Sequence, residues 1–419
     1  MTWRQGGYFS AGLESDPELF DLIEGELRRQ QNGVELIASE NLVSRCVLAA
    51  QGSVLTNKTV EGEVFKRYYG GAVYADEIEA LAMTRACKLF NCRFANVQPH
   101  SGTNANAGVL LGLLKLGAPI LSMNISAGGH ISHGHPATLT GRDYAVTHYG
   151  VSRQTERIDL DEVRDLAIKT RPHLIIAGGS AYPREIDFSQ LRKIADEVSA
   201  YLMVDMAHFA GLVASRLYPD PLPYAHVVTT TTYKSLRGAR GGMVLWNDPE
   251  LTQRINHGIF PGVQGSVMLH AVAGKAACFG EALREEFIFY STQAQCAAAL
   301  LAQKLSAGGA RIVTGGTDTT MVLVDLSNFN ITGDTAAKAL ELAGLAVNKN
   351  LIPFDRRTPE SPSGLRLSTN AGVARGFGVS EFAAIGEWIA RILHNPSDMS
   401  EIKAIAHAVS TLCSAFPIY

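Results

Sequence analysis

With 419 residues, 46% of them hydrophobic and 18% charged, the chain has the balance of a globular protein and enough length for about two or three domains. A formal charge of -3 and a pI near 6.5 supply no broad basic field, which argues against nucleic acid or an anionic membrane as partner and leaves small anionic ligands open. Met1 to Tyr8 lack a continuous apolar core behind a basic start, and no later segment is apolar for the length of a bilayer, so a cytoplasmic protein is expected.

Residues 1–55 read as an N-terminal arm. Asp16-Pro-Glu-Leu-Phe-Asp-Leu-Ile-Glu-Gly-Glu-Leu-Arg-Arg29 has helical spacing of its apolar positions and leads into Val34-Glu-Leu-Ile-Ala-Ser-Glu-Asn41, an apolar run ending in small polar side chains. From about residue 80 to 250, strand candidates alternate with amphipathic helices: Phe94–Gln98, Pro119–Met123, His173–Ala177, Tyr201–Asp205, His226–Thr229 and Met243–Trp246. That alternation predicts an α/β fold with a mostly parallel sheet covered on both faces, spanning a large domain over 56–285. An alanine-rich helical stretch at 267–308 leads to a smaller α+β domain over 286–419, with strands at Ala310–Thr314, Met321–Asp325 and Leu365–Ser368. Cys46, Cys87, Cys92, Cys278, Cys296 and Cys413 form no CxxC pair, which fits reduced thiols rather than a disulfide framework or a zinc site.

Ligands of such sheets bind beyond the carboxyl ends of the strands, where Ser180, Asp205 and a lysine turn all fall. In Thr229-Thr-Thr-Thr-Tyr-Lys234-Ser-Leu-Arg-Gly-Ala-Arg-Gly-Gly242, Lys234 sits between a hydroxyl-rich run and a glycine-bracketed turn with two arginines. This suits a buried amine that holds pyridoxal 5′-phosphate as a Schiff base; the alternative is an ordinary surface lysine. His100-Ser-Gly-Thr-Asn-Ala-Asn106 follows a strand and opens a helix, an arrangement that can hold a phosphate dianion. Asp205 ends an apolar strand, where its carboxylate needs a partner such as a protonated pyridine nitrogen, or else caps the next helix. In Gly128-Gly-His-Ile-Ser-His-Gly-His135 three histidines in six residues could converge on a metal ion; the glycines and the lack of acidic neighbours favour a ligand loop without metal, with His130 stacked on an aromatic ring.

Together with Glu35-Leu-Ile-Ala-Ser-Glu-Asn41, Lys66-Arg-Tyr-Tyr-Gly-Gly71, Ala95-Asn-Val-Gln-Pro-His-Ser-Gly102 and Val347-Asn-Lys-Asn350, these blocks resemble the serine hydroxymethyltransferase family over nearly the whole chain. The resemblance implies the fold type I architecture of pyridoxal-phosphate transferases, and tetrahydrofolate as co-substrate. It implies that Lys234 forms the Schiff base, Asp205 pairs with the pyridine nitrogen and His130 stacks on the ring. Ser101, Gly102 and Thr103, with Gly262 of a neighbouring subunit, would hold the phosphate; Ser180 and His208 would lie near the phenolic oxygen. Arg366, assisted by Ser39, would take the substrate carboxylate, its alternative being a surface arginine. Glu61 would be the acid/base for the hydroxymethyl group, and Tyr69 would line the site from the partner subunit of a homo-oligomer with shared sites. Glu61, Tyr68, Ile125, Gly129, Ile131 and Asn350 fit the folate pattern.

The chain also departs from that pattern. Thr59 stands where the family usually has a tyrosine, Gly62-Glu-Val-Phe65 replaces Gly-Tyr-Pro-Gly, Tyr233 replaces a histidine, Val263 a glycine, and Glu360 an aromatic residue. These changes around the substrate and folate walls lead to the expectation of a paralogue with altered specificity, an α-methylserine hydroxymethyltransferase using D-alanine, with room at Thr59 for the extra methyl group. The alternatives are ordinary serine/glycine interconversion, a folate-independent aldolase or threonine transaldolase, and a pseudoenzyme scaffold subunit.

Overall fold

The computed structural model describes residues 16–419; the start of the expected arm and the leader reading lie outside them. The centre is a seven-stranded sheet of β1 (Phe94–Asn96), β2 (Pro119–Met123), β3 (Ala145–Tyr149), β4 (Leu174–Ala177), β5 (Tyr201–Asp205), β6 (Val227–Thr231) and β7 (Gly242–Trp246), in the order β1-β7-β6-β5-β4-β2-β3. Strands β3 to β6 run parallel through β2, and β7 is antiparallel to both β6 and β1.

The strands are apolar runs because both faces are covered. Leu174 and Ile176 enter one core with Val109 and Leu110 of a helix at Gly102–Leu113, while Ile175 and Ala177 enter another with Phe90, Leu191 and Phe279. Strand β3 is absent from the sequence reading: Ala145-Val-Thr-His-Tyr149 lies at the sheet edge and keeps most of its side chains half-exposed, so it lacks the apolar run that marks the inner strands.

The stretch expected as one helical region at 267–308 is two helices, Leu269–Ala282 and Glu285–Ala307. Beyond them a four-stranded antiparallel sheet joins β8 (Arg311–Ile312), β9 (Met321–Asp325), β10 (Asn348–Asn350) and β11 (Gly364–Ser368) in the order β8-β9-β11-β10. The strand read at Ala310–Thr314 shortens to two residues because Thr314 turns left-handed, with φ of 63°.

Two long-range links attach the N-terminal segment here. Val34 and Leu36 lie in the core behind β9 and β11, where Ser368 N–H donates to the Leu36 carbonyl at 2.8 Å. The Arg375 guanidinium donates to the carbonyls of Gln30, Gln31 and Gly33, which end the Pro17–Asn32 helix, and to those of Cys413 and Phe416 at the end of the last helix. One cation thus satisfies backbone acceptors that helix ends leave without intrahelical partners.

Candidate functional site

The carboxyl ends of β4, β5 and β6 and the amino end of the Gly102–Leu113 helix surround a cavity of about 60 Å³. It brings together Ser101, Gly102, Thr103, His130, Asp205, His208 and Lys234 of the expected residues, and adds Thr231 and Tyr233. The close fit is backbone-made: Gly178, with φ of 101°, passes so near β5 that a Cβ there would sit 2.1 Å from the Asp205 carbonyl oxygen.

Lys234 is 6% exposed, which removes the surface-lysine reading, and its Nζ lies 3.0 Å from His208 Nε2. Burial lowers the Lys234 pKa to about 8; Asp205 opposes the shift, while Arg366 and Arg240 add to it. His208 is held well below its usual range by burial and then by the charge on Lys234, so its ring is a neutral acceptor. The result is a buried amine with a neutral fraction near physiological pH.

Asp205 has three donors: His133 Nε2 and Asn106 Nδ2, each 2.9 Å from Oδ2, and Ala207 N–H, 3.1 Å from Oδ1. Burial pushes this carboxyl up, but the His133 hydrogen bond and the neighbouring imidazoles outweigh it and the net shift is downward. Asn106 is fixed in turn by Thr229 Oγ1 at 2.6 Å. His130 is pulled to about 4, first by burial and then by His133, and its Nδ1 lies 2.8 Å from Ser132 Oγ. The three histidines of the loop take separate partners, His133 bonding Asp205, His130 bonding Ser132 and His135 accepting from its own Ala137 N–H, and with the His130 and His133 rings 5.5 Å apart they form no group of three or more metal-type ligands among the described residues.

At the other end, Ser101 caps the helix, its Oγ accepting from Asn104 N–H at 3.1 Å. A Cβ on Gly102 would lie 2.8 Å from Thr231 Cγ2, so only glycine leaves this approach open. Thr231 Oγ1 is buried with no hydrogen-bond partner among the described residues. A buried hydroxyl without a partner, beside the first amides of a 12-residue helix, matches the donor set a phosphate requires. The residues thus fit pyridoxal phosphate: helix amides and hydroxyls at one end, an amine in the middle and an ionised carboxylate opposite.

Arg366, on β11, is 8% exposed rather than on the surface. Its Nη1 donates to the Ser180 carbonyl at 2.6 Å and to Ser180 Oγ at 2.8 Å, and its Nε donates to Asn348 Oδ1 at 3.0 Å. No acidic residue lies within ion-pair distance of it among the described residues, so its partners there are the neutral oxygens of Ser180 and Asn348. Ser39 follows Ala38, which packs on Ala181 and Met321 beside that group.

Other expected residues do not line the cavity. Glu61 is half-buried beside Gly265, Thr59 is exposed, and Tyr68 and Tyr69 are 76% and 50% exposed. Gly262 is exposed, against Leu111. Ile125, Gly129 and Ile131 belong to the loop carrying His130, whose Gly128 carbonyl accepts from Ser180 N–H at 2.7 Å, and Asn350 sits two residues from Asn348 on β10. Sequence reasoning missed Asn106, His133 and Asn348 as supports of Asp205 and Arg366. The signal for His133 was present in the histidine-rich loop, but its partner is 72 residues away.

A family model described as serine hydroxymethyltransferase matches residues 13–389. The serine hydroxymethyltransferase of Paramagnetospirillum magneticum is 54% identical over 411 residues, covering 97% of this chain and 96% of that protein. Those of Rhodospirillum centenum and Acidiphilium cryptum are each 53% identical, over 97% and 98% of this chain and 96% and 97% of theirs.

Proposed function

Because this chain belongs to the serine hydroxymethyltransferase family, whose enzymes use pyridoxal phosphate with tetrahydrofolate as co-substrate, we propose that it moves a hydroxymethyl unit between tetrahydrofolate and an amino acid, the pair being serine and glycine. Near-full-length identity to proteins named for serine supports this pair over the expected D-alanine and α-methylserine. The observation that carries the reading is Arg366: a buried guanidinium anchored by Ser180 and Asn348, beside the cavity that holds Lys234. A planar fork of donors in that place suits the carboxylate of an α-amino acid.

When bound, the cofactor supplies an electron sink for bond cleavage at Cα. Lys234 would hold it through its amine, with the neutral His208 ring accepting a hydrogen bond from that nitrogen, and the ionised Asp205 would stabilise a positive charge at the ring nitrogen. His130, which lines the same cavity, would offer the ring a neutral face. Glu61, the proposed acid/base, and Tyr68, Tyr69 and Gly262 lie outside the cavity, so the proposal includes a homo-oligomer in which a second copy brings them to the site. A cytoplasmic location goes with it; no helix among the described residues is long and apolar enough to cross a membrane.

A second reading, α-methylserine formation from D-alanine, is favoured by one observation: Tyr233 lines the cavity under Arg240, whose guanidinium stands 4.0 Å above its ring, where the family pattern has a histidine. The test is turnover of serine and of α-methylserine, each with and without tetrahydrofolate, in the unaltered protein and in Thr59→Tyr. Folate-dependent serine cleavage with little α-methylserine turnover supports the main reading. Preference for α-methylserine that Thr59→Tyr reverses establishes the second, and folate-independent cleavage overturns both.

A further inference from the structure

Lys275 stands in the middle of the apolar helix Leu269–Ala282 and is 1% exposed, so a charged side chain is sealed where the helix would otherwise present alanine and glycine. Its Nζ donates to three backbone carbonyls: Val97 at 2.6 Å, Pro99 at 3.0 Å and Gly242 at 2.9 Å. Three acceptors around one nitrogen use all three protons of an ammonium; a neutral amine could donate only two. No carboxylate lies within ion-pair distance among the described residues. Burial lowers the pKa to about 7, and the charge of Glu79, which is itself bonded to Arg67 and Gln98, works against that shift from farther off.

The three carbonyls belong to the two chain segments that frame the helix amino end. Val97 and Pro99 lie between β1 and Ser101, and Gly242 opens β7. The Pro99 carbonyl accepts from both Lys275 Nζ and Gly242 N–H, the latter at 2.9 Å. The two segments are pressed together there: a Cβ on Gly242 would meet the Ser101 carbonyl oxygen at 2.2 Å and Gly102 N at 3.1 Å. Room for the lysine is made by Gly241, where a Cβ would sit 2.3 Å from Lys275 Cε and 2.6 Å from Nζ.

We infer that Lys275 is a positioning residue for the cofactor phosphate, clamping the strand ends that set Ser101 and Gly102 in place and putting an unneutralised buried cation behind the dianion. The inference rests on the reading of Ser101 to Thr103 as the phosphate cup. A side chain that merely fills space would be replaced by methionine at little cost to phosphate recognition, whereas a clamp and a charge would not.

The test compares pyridoxal 5′-phosphate with pyridoxal, which lacks the phosphate, in reconstitution titrations of the resolved full-length protein followed by absorbance. Lys275→Met should weaken pyridoxal phosphate binding by roughly tenfold or more while leaving pyridoxal within about twofold. Should Lys275→Met fail to fold, Lys275→Gln, which keeps two donors without the charge, is read in the same way. Equal losses for both ligands, or no loss for either, would overturn the inference. Ser101→Ala separates the two claims: if it too leaves the ratio of the two affinities unchanged, the cup reading fails, and if it alone changes the ratio, only the role of Lys275 does.

Discussion

Lys234 Nζ and His208 Nε2 face each other at 3.0 Å in a space where neither side chain reaches bulk water. With the lysine pKa lowered from 10.5 to about 8, the folded cofactor-free protein releases that proton more readily than the unfolded chain does. The unfolded state then binds more protons between pH 8 and 10.5, so stability rises with pH across that window and is lowest below it. Lys234→Met in the cofactor-free protein should therefore be more stable at pH 7, by up to about 3 kcal/mol, with the gain vanishing above the usual lysine pKa. Denaturant titrations at pH 7 and pH 10.5 check this; an equal gain at both would refute it.

Asp205 owes its ionised state at full burial chiefly to His133. Replacing His133 with phenylalanine leaves burial to raise the carboxyl pKa, so the acid limb of the pH–activity profile should move to higher pH while the alkaline limb stays. A profile that only drops in height would mean that His133 packs the loop and does nothing to the charge.

Asn348 orients Arg366 through Nε without reaching the cavity itself. Asn348→Ala should lower kcat/KM for the amino acid by roughly tenfold, mostly through KM, since the guanidinium remains but is no longer aimed. Affinity for pyridoxal phosphate should not change, and equal losses in both measurements would indicate a misfolded β10–β11 hairpin.

Arg67 donates to Asp76 at 2.8 Å, to Glu79 at 2.6 Å and to the Gly62 carbonyl at 2.6 Å, with the guanidinium side chain 3% exposed. Arg67→Met would strand two carboxylates away from water and should cost about 3–5 kcal/mol of stability. A loss below 1 kcal/mol in urea unfolding would show that the carboxylates reach water or each other's protons instead. The hairpin involved follows Glu61 directly, so activity should fall further than the loss of folded protein explains.

What could be read from the sequence follows the range of the interactions. The inner strands were visible because burial on both faces writes an apolar run into four or five consecutive residues, and Lys234, Asp205 and Ser101 were visible because strand ends and helix caps are local patterns. The edge strand Ala145–Tyr149 was not, since one edge and half-exposed side chains leave a mixed sequence. Nor were the supports. Asn106 meets Asp205 across 99 residues and Arg366 meets Ser180 across 186, and no spacing rule spans such distances. Lys275 was hidden by its own helix, whose alanines and glycines read as packing. Glu61 and Tyr69 carry no local sign of their place: neither lines the cavity around Lys234, and Tyr69 is half exposed.

The hydrogen bond from Ser368 to Leu36 has a consequence for how the protein is made. Emerging from the ribosome, the chain exposes Ser101 to Lys275 first, a span that includes every residue lining the cavity around Lys234 and the lysine behind its helix end. Arg366 comes much later, and its strand must then capture a segment synthesised more than 300 residues earlier. Until that capture Val34 and Leu36 wait without their core, and a nascent chain stalled short of β11 carries the residues that line the cavity around Lys234 but not the guanidinium that bonds Ser180.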